Sequence, residues 1–200
     1  MRIIQRTFTL FTLEELEDEA RQRAYSDWLA KGYDYPFASD NCNTLEAFCT
    51  LFHTVCLNYS YDSNRYNYSY RIGCDDDIIR LSGIRLAAYL YNNYHSSLFT
   101  PKTYWTSDNK KKRKSRIFLT PGCPLTGFIM DEIMLQPIYE FIKHPDNRTF
   151  GNLIKECMEA FFCACRDDYE HYTSEDYFKE ESAEQNWEYL ADGTFYRQTA

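Results

Sequence analysis

Only seven glycines, six prolines and four histidines occur among the 200 residues of this chain. The glycines are too few and too scattered to form a loop that cradles phosphate on its backbone amides. No C-x-x-C pair is present, which removes the commonest zinc-knuckle spacing. No run of about 18 apolar residues occurs, the minimum for a membrane-spanning helix. The opening residues MRIIQRTFTLF place a base before an apolar stretch, but Gln5, Arg6 and Thr7 interrupt it and no small-residue cleavage site follows. No signal peptide is therefore expected. These absences set the expectation of a soluble cytoplasmic protein, and no internal repeat is visible.

Apolar and aromatic residues are plentiful. Hydrophobic residues make up 44% and aromatics 18% of the chain, with 18 tyrosines, far from the composition of disorder. A chain of this length buries about 70% of the surface it exposes when unfolded. Eight cysteines in an intracellular chain are expected as reduced thiols that act as small hydrophobes.

Thr12 and Glu15 form a capping-box pattern, after an alternating stretch from Ile3 to Leu10 that reads as a strand. Leu13, Leu16, Ala20, Ala24 and Trp28 then recur at helical spacing, with Gly32 as a stop. A second helix is expected from about Asn43, burying Leu45, Phe48, Phe52 and Val55, after a loop over YDYPFASDN. Tyr59 and Tyr61 alternate with polar residues on one side of Asp62-Ser63-Asn64, and Tyr66, Tyr68 and Tyr70 on the other, which predicts a hairpin whose tyrosine ladder is core or binding surface. Asp75, Asp76 and Asp77 suit the positive end of a helix that follows as IIRLSGIRLAAYLYNNY, with a metal-binding triplet as the alternative.

Residues 99–124 read as an irregular excursion, closed by a short strand at Ile117–Leu119. Pro137 should kink or restart the next helix. Asp146 to Thr149 cap another, whose stripe is Leu153, Cys157, Ala160, Phe161 and Ala164. Thr173 or Ser174 should end it, and a further helix runs to about Gln185. A terminal hairpin turns at Ala191-Asp192-Gly193. Strands and helices without regular alternation predict an α+β fold: one domain over 1–200, with amphipathic helices on a small antiparallel sheet and an exposed basic loop at about 102–116.

Between Glu156 and Asp192, twelve acids face only Arg166 and Lys179. That local net of −10 exceeds the −8 of the whole chain. The tract reads as the solvated faces of two helices or as an acidic surface that competes for a nucleic-acid groove; its candidate contacts are Glu170, Glu175, Asp176, Glu180, Glu181 and Glu184. A second charged feature is KKKRKSR, with Lys110, Lys111, Lys112, Arg113, Lys114 and Arg116 placing six bases in seven residues beside Tyr104 and Trp105. Such a loop can contact phosphates and stack a base, or grip an acidic partner, although an acidic chain attracts nucleic acid poorly at long range.

Cys49, His53 and Cys56 lie at i, i+4 and i+7, so on a helix they would share a face and could hold zinc if Cys42, His95 or a remote residue completed the set. Core packing beside Phe48 and Phe52 is the alternative, and no metal or cofactor is expected. A thiol paired with His53, His95, His144 or His171 is a further arrangement that only the fold decides. Asn147-Arg148-Thr149 matches a glycosylation acceptor, which matters only in a secreted protein.

The stretches FTLEELEDEARQRAY, SGIRLAAYLYNN, CPLTGFIMDE, PIYEFIKHPDNRTFGNLIKEC, DDYEHYTSEDYFKEE and EQNWEYLADGTFY resemble the small acidic proteins encoded by bacteriophages and prophages, including antitoxin-like ones. The resemblance spans most of the chain and carries no catalytic set. It implies a non-enzymatic accessory protein of the anti-CRISPR or anti-restriction kind, whose partner in the bacterial host is a defence protein or ribonucleoprotein complex. The alternatives are an antitoxin-like protein that neutralises a toxin and reaches nucleic acid through Lys110–Arg116, and a zinc or thiol enzyme.

Overall fold

A computed structural model describes residues 7–30, 35–99 and 123–196. The chain forms two units, one made of Met1–Pro36 with Asp167–Ala200, the other of Phe37–Arg166. Each is built around its own apolar cluster.

Helix α1 (Asp18–Ala30) belongs to the first of these units, and the Phe37–Arg166 unit starts with α2 (Ala38–Leu51). Its buried face is Asn41, Thr44, Leu45, Phe48 and then Phe52 at the cap, a stripe at helical spacing whose first two members are polar. The helix therefore begins several residues before the position expected from apolar periodicity, inside the supposed loop. At its end His53 adopts φ 51, a left-handed conformation that is uncommon for a residue with a Cβ. Its carbonyl accepts the Gly73 amide at 2.7 Å. The chain turns there into strand β1 (Thr54–Tyr61), which pairs antiparallel with β2 (Tyr66–Ile72). Val55 accordingly lies on a strand and is 48% exposed, not buried on a helix as its spacing suggested.

Register pairs Tyr59 with Tyr68 and Tyr61 with Tyr66, and an irregularity between Cys56 and Asn58 restores the alternation. Directly opposed residues share a face of the sheet, so the tyrosines form one ladder. Tyr61, Tyr66, Tyr68 and Tyr70 pack against the core, and the Tyr68 ring stacks on Phe162 at 4.7 Å with an interplanar angle of 14°. The turn is held by Asp62, whose carboxylate accepts the amides of Asn64 (2.8 Å) and Arg65 (3.0 Å). Those amides, Asn64 first, hold the Asp62 carboxyl below its ordinary range.

The expected long helix after the aspartates is two: α3 (Asp76–Ile79) and α4 (Gly83–Leu98). Gly83 starts α4 with φ +62, and the neighbouring Ser82 bridges to Thr149. Leu86, Leu90, Tyr94 and Leu98 make the buried stripe of α4. Helix α5 (Ile129–Lys143) runs through Pro137 without a restart. Helix α6 (Phe150–Tyr172) is capped by Thr149, whose hydroxyl accepts the Asn152 amide at 3.2 Å; it buries Leu153, Cys157 and Phe161, while Ala160 and Ala164 are half-buried. The helices pack on a two-stranded antiparallel sheet, an α+β fold.

One fully buried acid organises this unit. Asp131 has no exposed surface, and its carboxylate accepts the amides of Leu125 (2.9 Å), Thr126 (2.6 Å) and Gly127 (3.0 Å) with the hydroxyls of Thr126 (2.8 Å) and Thr44 (2.9 Å). A buried carboxylate persists when donors replace its water. The five donors tie α2 to the segment that leads into α5.

In the other unit, Glu15 accepts the Thr12 amide at 2.8 Å, the reciprocal half of the capping box. The helix it starts is a single 3-10 turn, Leu13–Glu15. Leu16 then takes ψ 147 before α1 begins, so the expected continuous helix has a break. Leu13, Leu16, Ala20 and Ala24 are buried together with Phe178 and Tyr189, and Trp28 packs on them. Helix α7 (Glu175–Glu184) is capped by Ser174, whose hydroxyl accepts the Tyr177 amide at 3.1 Å. Beyond it, Tyr189 bridges Phe11 on one side and Phe195 on the other, around the turn at Asp192-Gly193. Thr7 to Leu10 carry no strand; pairing of the N-terminal segment is through Phe11. The expected strand residues 3–6, the stop at Gly32 and the strand at Ile117–Leu119 lie outside the described residues.

Candidate functional site

Charge is segregated between the two units. Met1–Pro36 with Asp167–Ala200 holds seventeen acids against seven Lys and Arg, a net of −10, whereas Phe37–Arg166 holds thirteen acids against fifteen, a net of +2.

Within the acidic tract, part of the charge is absorbed by local structure. Arg148 holds Glu156 at 2.8 Å, Tyr68 donates to Glu159 at 2.6 Å, and Tyr35 donates to Asp168. Asp192 takes the Thr194 amide at 3.0 Å and pairs with Arg23 at 3.3 Å; the Thr194 bonds are the main cause of its lowered pKa. These carboxylates serve the fold.

The six candidate contacts divide further. Asp176, Glu180 and Glu184 follow at four-residue steps on α7, opposite the buried Phe178 and Ser182, so they form one outward stripe. Asp176 is bridged by Lys179 at 3.0 Å, a largely exposed pair worth little. Glu175 accepts from Gln22 at 3.2 Å, and Glu181, half-buried, from the Tyr177 hydroxyl at 3.2 Å. Glu170 is exposed near the end of α6. Among the described residues, Glu170, Glu180 and Glu184 have no ion-pair partner. The acidic surface is thus narrower than the tract: a stripe on α7, flanked by Glu175 and Glu181.

Beside that stripe lies a cleft of about 540 Å³, lined on the α7 side by Lys179, Ser182 and Ala183 and on the other by Thr12, Leu13, Glu14 and Arg21, with Asn186, Trp187 and Glu188 closing it. Glu14, Trp187 and Glu188 escaped the sequence reading as site residues because they come from opposite ends of the chain.

The basic residues Lys110, Lys111, Lys112, Arg113, Lys114 and Arg116 lie outside the described residues. The zinc arrangement fails on geometry. Cys49 sits on α2, His53 in the left-handed turn and Cys56 on β1, so the helical spacing that aligned them does not exist. No cluster of three or more potential ligands occurs among the described residues. No disulfide forms among the described residues, and burial is the first cause that pushes up the thiols of Cys49, Cys56, Cys74, Cys123 and Cys157, the opposite of what an attacking thiolate needs. Asp75 caps α3 through its carbonyl, which accepts the amides of Ile78 and Ile79. Among the described residues no helix is long and apolar enough to cross a membrane.

No family model, no curated protein and no solved structure matches this chain.

Proposed function

We propose that the protein is a non-enzymatic inhibitor, made in a bacterial host cell by a phage or prophage, that binds a defence protein or ribonucleoprotein complex and lays the acidic face of α7 against its nucleic-acid-binding surface. One observation carries the reading: the unit containing α7 has a net charge of −10, and its outward stripe presents Glu180 and Glu184, which have no ion-pair partner among the described residues. A low-dielectric approach to a basic groove strengthens such pairs and speeds encounter. Placing carboxylates where phosphates would lie excludes the nucleic acid by competition. No bond need be made or broken.

The test is competition. The tagged chain is used to capture its partner from host lysate, and the captured complex is challenged with its own nucleic acid at two salt concentrations. Displacement by nucleic acid, together with loss of capture in the triple variant Asp176→Lys, Glu180→Lys, Glu184→Lys, is the expected result. Capture that survives the triple reversal in a folded protein eliminates the proposal.

A further inference from the structure

The cleft beside α7 contains two cations and two free carboxylates, and their bonding separates their roles. Arg21 spends its guanidinium on the carbonyls of Leu13 (3.3 Å) and Leu16 (2.9 Å) and on Asp18 (3.3 Å). Lys179 is held by Asp176. Glu14 and Glu188 have no ion-pair partner among the described residues. The charge left over in the cleft is therefore negative. Its aromatic wall is the half-buried indole of Trp187, the ring that binds cations best. Space is left on the α7 side because Ser182 and Ala183 are small, with the Ser182 hydroxyl already bonded to that of Tyr189 at 3.0 Å.

We propose that this cleft receives one arginine side chain from the partner's basic surface, its guanidinium stacked on Trp187 and paired with Glu14 and Glu188. The proposal rests on the acidic-face reading and specifies an anchor for it. Arginine is preferred over lysine because a planar guanidinium stacks on an indole and presents several N–H groups to carboxylates at once, whereas an ammonium is a compact and strongly hydrated charge. Seated there, the anchor would set the register of the α7 stripe against neighbouring cations, which long-range attraction alone does not do.

The test uses the full chain labelled with nitrogen-15 and, at low salt, three neutral-ended tripeptides: acetyl-Gly-Arg-Gly-amide, its lysine counterpart and its citrulline counterpart. The indole N–H signal of Trp187 is identified by its absence in Trp187→Phe. It should move saturably with the arginine peptide, less with lysine and not with citrulline, which keeps the shape and loses the charge. The double variant Glu14→Gln, Glu188→Gln should bind the arginine peptide about tenfold more weakly, as expected for losing two partly exposed charge pairs. An equal response to citrulline, an unaltered affinity in the double variant, or a motionless Trp187 signal overturns the anchor. The two proposals fail separately. A silent Trp187 with partner capture still abolished by reversing the α7 stripe removes the anchor alone; a specific arginine response with capture indifferent to that reversal removes the acidic-face reading and leaves a guanidinium site.

Discussion

The hydroxyl of Tyr68 donates to the Glu159 carboxylate at 2.6 Å, and Tyr66 donates to the same group. One acid on α6 thereby gathers two rungs of the tyrosine ladder, while the Tyr68 ring lies flat on Phe162. Both ends of the contact shift. The tyrosine hydroxyls hold Glu159 below its ordinary 4.5. Tyr66 is pushed up to about 12, first by that hydrogen bond, and Tyr68 is raised, first by burial.

Opposite pH limits follow for this contact. Glu159 is depressed, so its contribution is present above pH 4.5 and is lost as the pH falls through its lower folded value. Tyr66 is raised, so its contribution is present below about 10 and is lost as the pH rises toward about 12. In a spectrophotometric titration, Glu159→Gln should move one late-ionising tyrosine back toward 10. Tyr68→Phe should cost about 1 kcal/mol in urea unfolding at pH 7, a typical net hydrogen bond. A titration curve identical in Glu159→Gln and the wild type would contradict the assignment.

Asp131 should be the most sensitive polar position of its unit. Replacing it by Ala orphans three amides and two hydroxyls, and each buried unsatisfied group costs about 1–3 kcal/mol before relaxation. The expected loss is about 3–5 kcal/mol, with Thr44→Val nearer 1 kcal/mol because it removes a single donor. Urea denaturation followed by circular dichroism measures both, and a ratio near one would show that the amide cradle is not the main contribution.

Stability and binding should separate at Glu180. It stands between Asp176 and Glu184 at four-residue spacing, so like charges repel along the stripe. Glu180→Lys replaces two repulsions with two attractive pairs of about 0.2–0.5 kcal/mol each. Tm should rise by about 1–3 °C, an increment that shrinks in high salt, while partner capture weakens. A fall in Tm would mean that Glu180 makes a contact that its exposed position does not suggest.

Gly193 tolerates no side chain. Its φ is +84, and an added Cβ would overlap the Ala20 carbonyl, which is backbone and cannot swing aside. Gly193→Ala should cost about 2 kcal/mol or more and loosen the turn that brings Phe195 to Tyr189. Faster proteolysis within residues 187–196, with near-ultraviolet dichroism of the tryptophans reduced, is the expected sign.

Much of the architecture was legible because it is local. The Thr12–Glu15 cap, the Leu13-to-Ala24 stripe, the tyrosine hairpin about Asp62, the helix break at Thr173–Ser174 and the Asp192-Gly193 turn each depend on residues a few positions apart. What misled was local as well. Asn41 and Thr44 hid the first turns of α2 because polar residues on a buried face break the apolar pattern, and Thr44 is acceptable there because its hydroxyl bonds Asp131 and Thr126, far along the chain. Cys49, His53 and Cys56 kept helical spacing across a point where His53 has already left the helix; a histidine in the left-handed region has no signature in composition.

The amino-acid order by itself determined most of the helices and the tyrosine hairpin, the excess of acids over bases toward the C-terminus and the lack of any motif tied to a reaction, since propensity, capping and charge count are properties of short segments. Only the tertiary structure decided which acids are occupied by tyrosine and arginine partners and which stand outward on α7, and only it brought Glu14 to the same cleft as Trp187 and Glu188. Desolvation and pairing depend on what folding places nearby, and that proximity is not written in the spacing of residues along the chain.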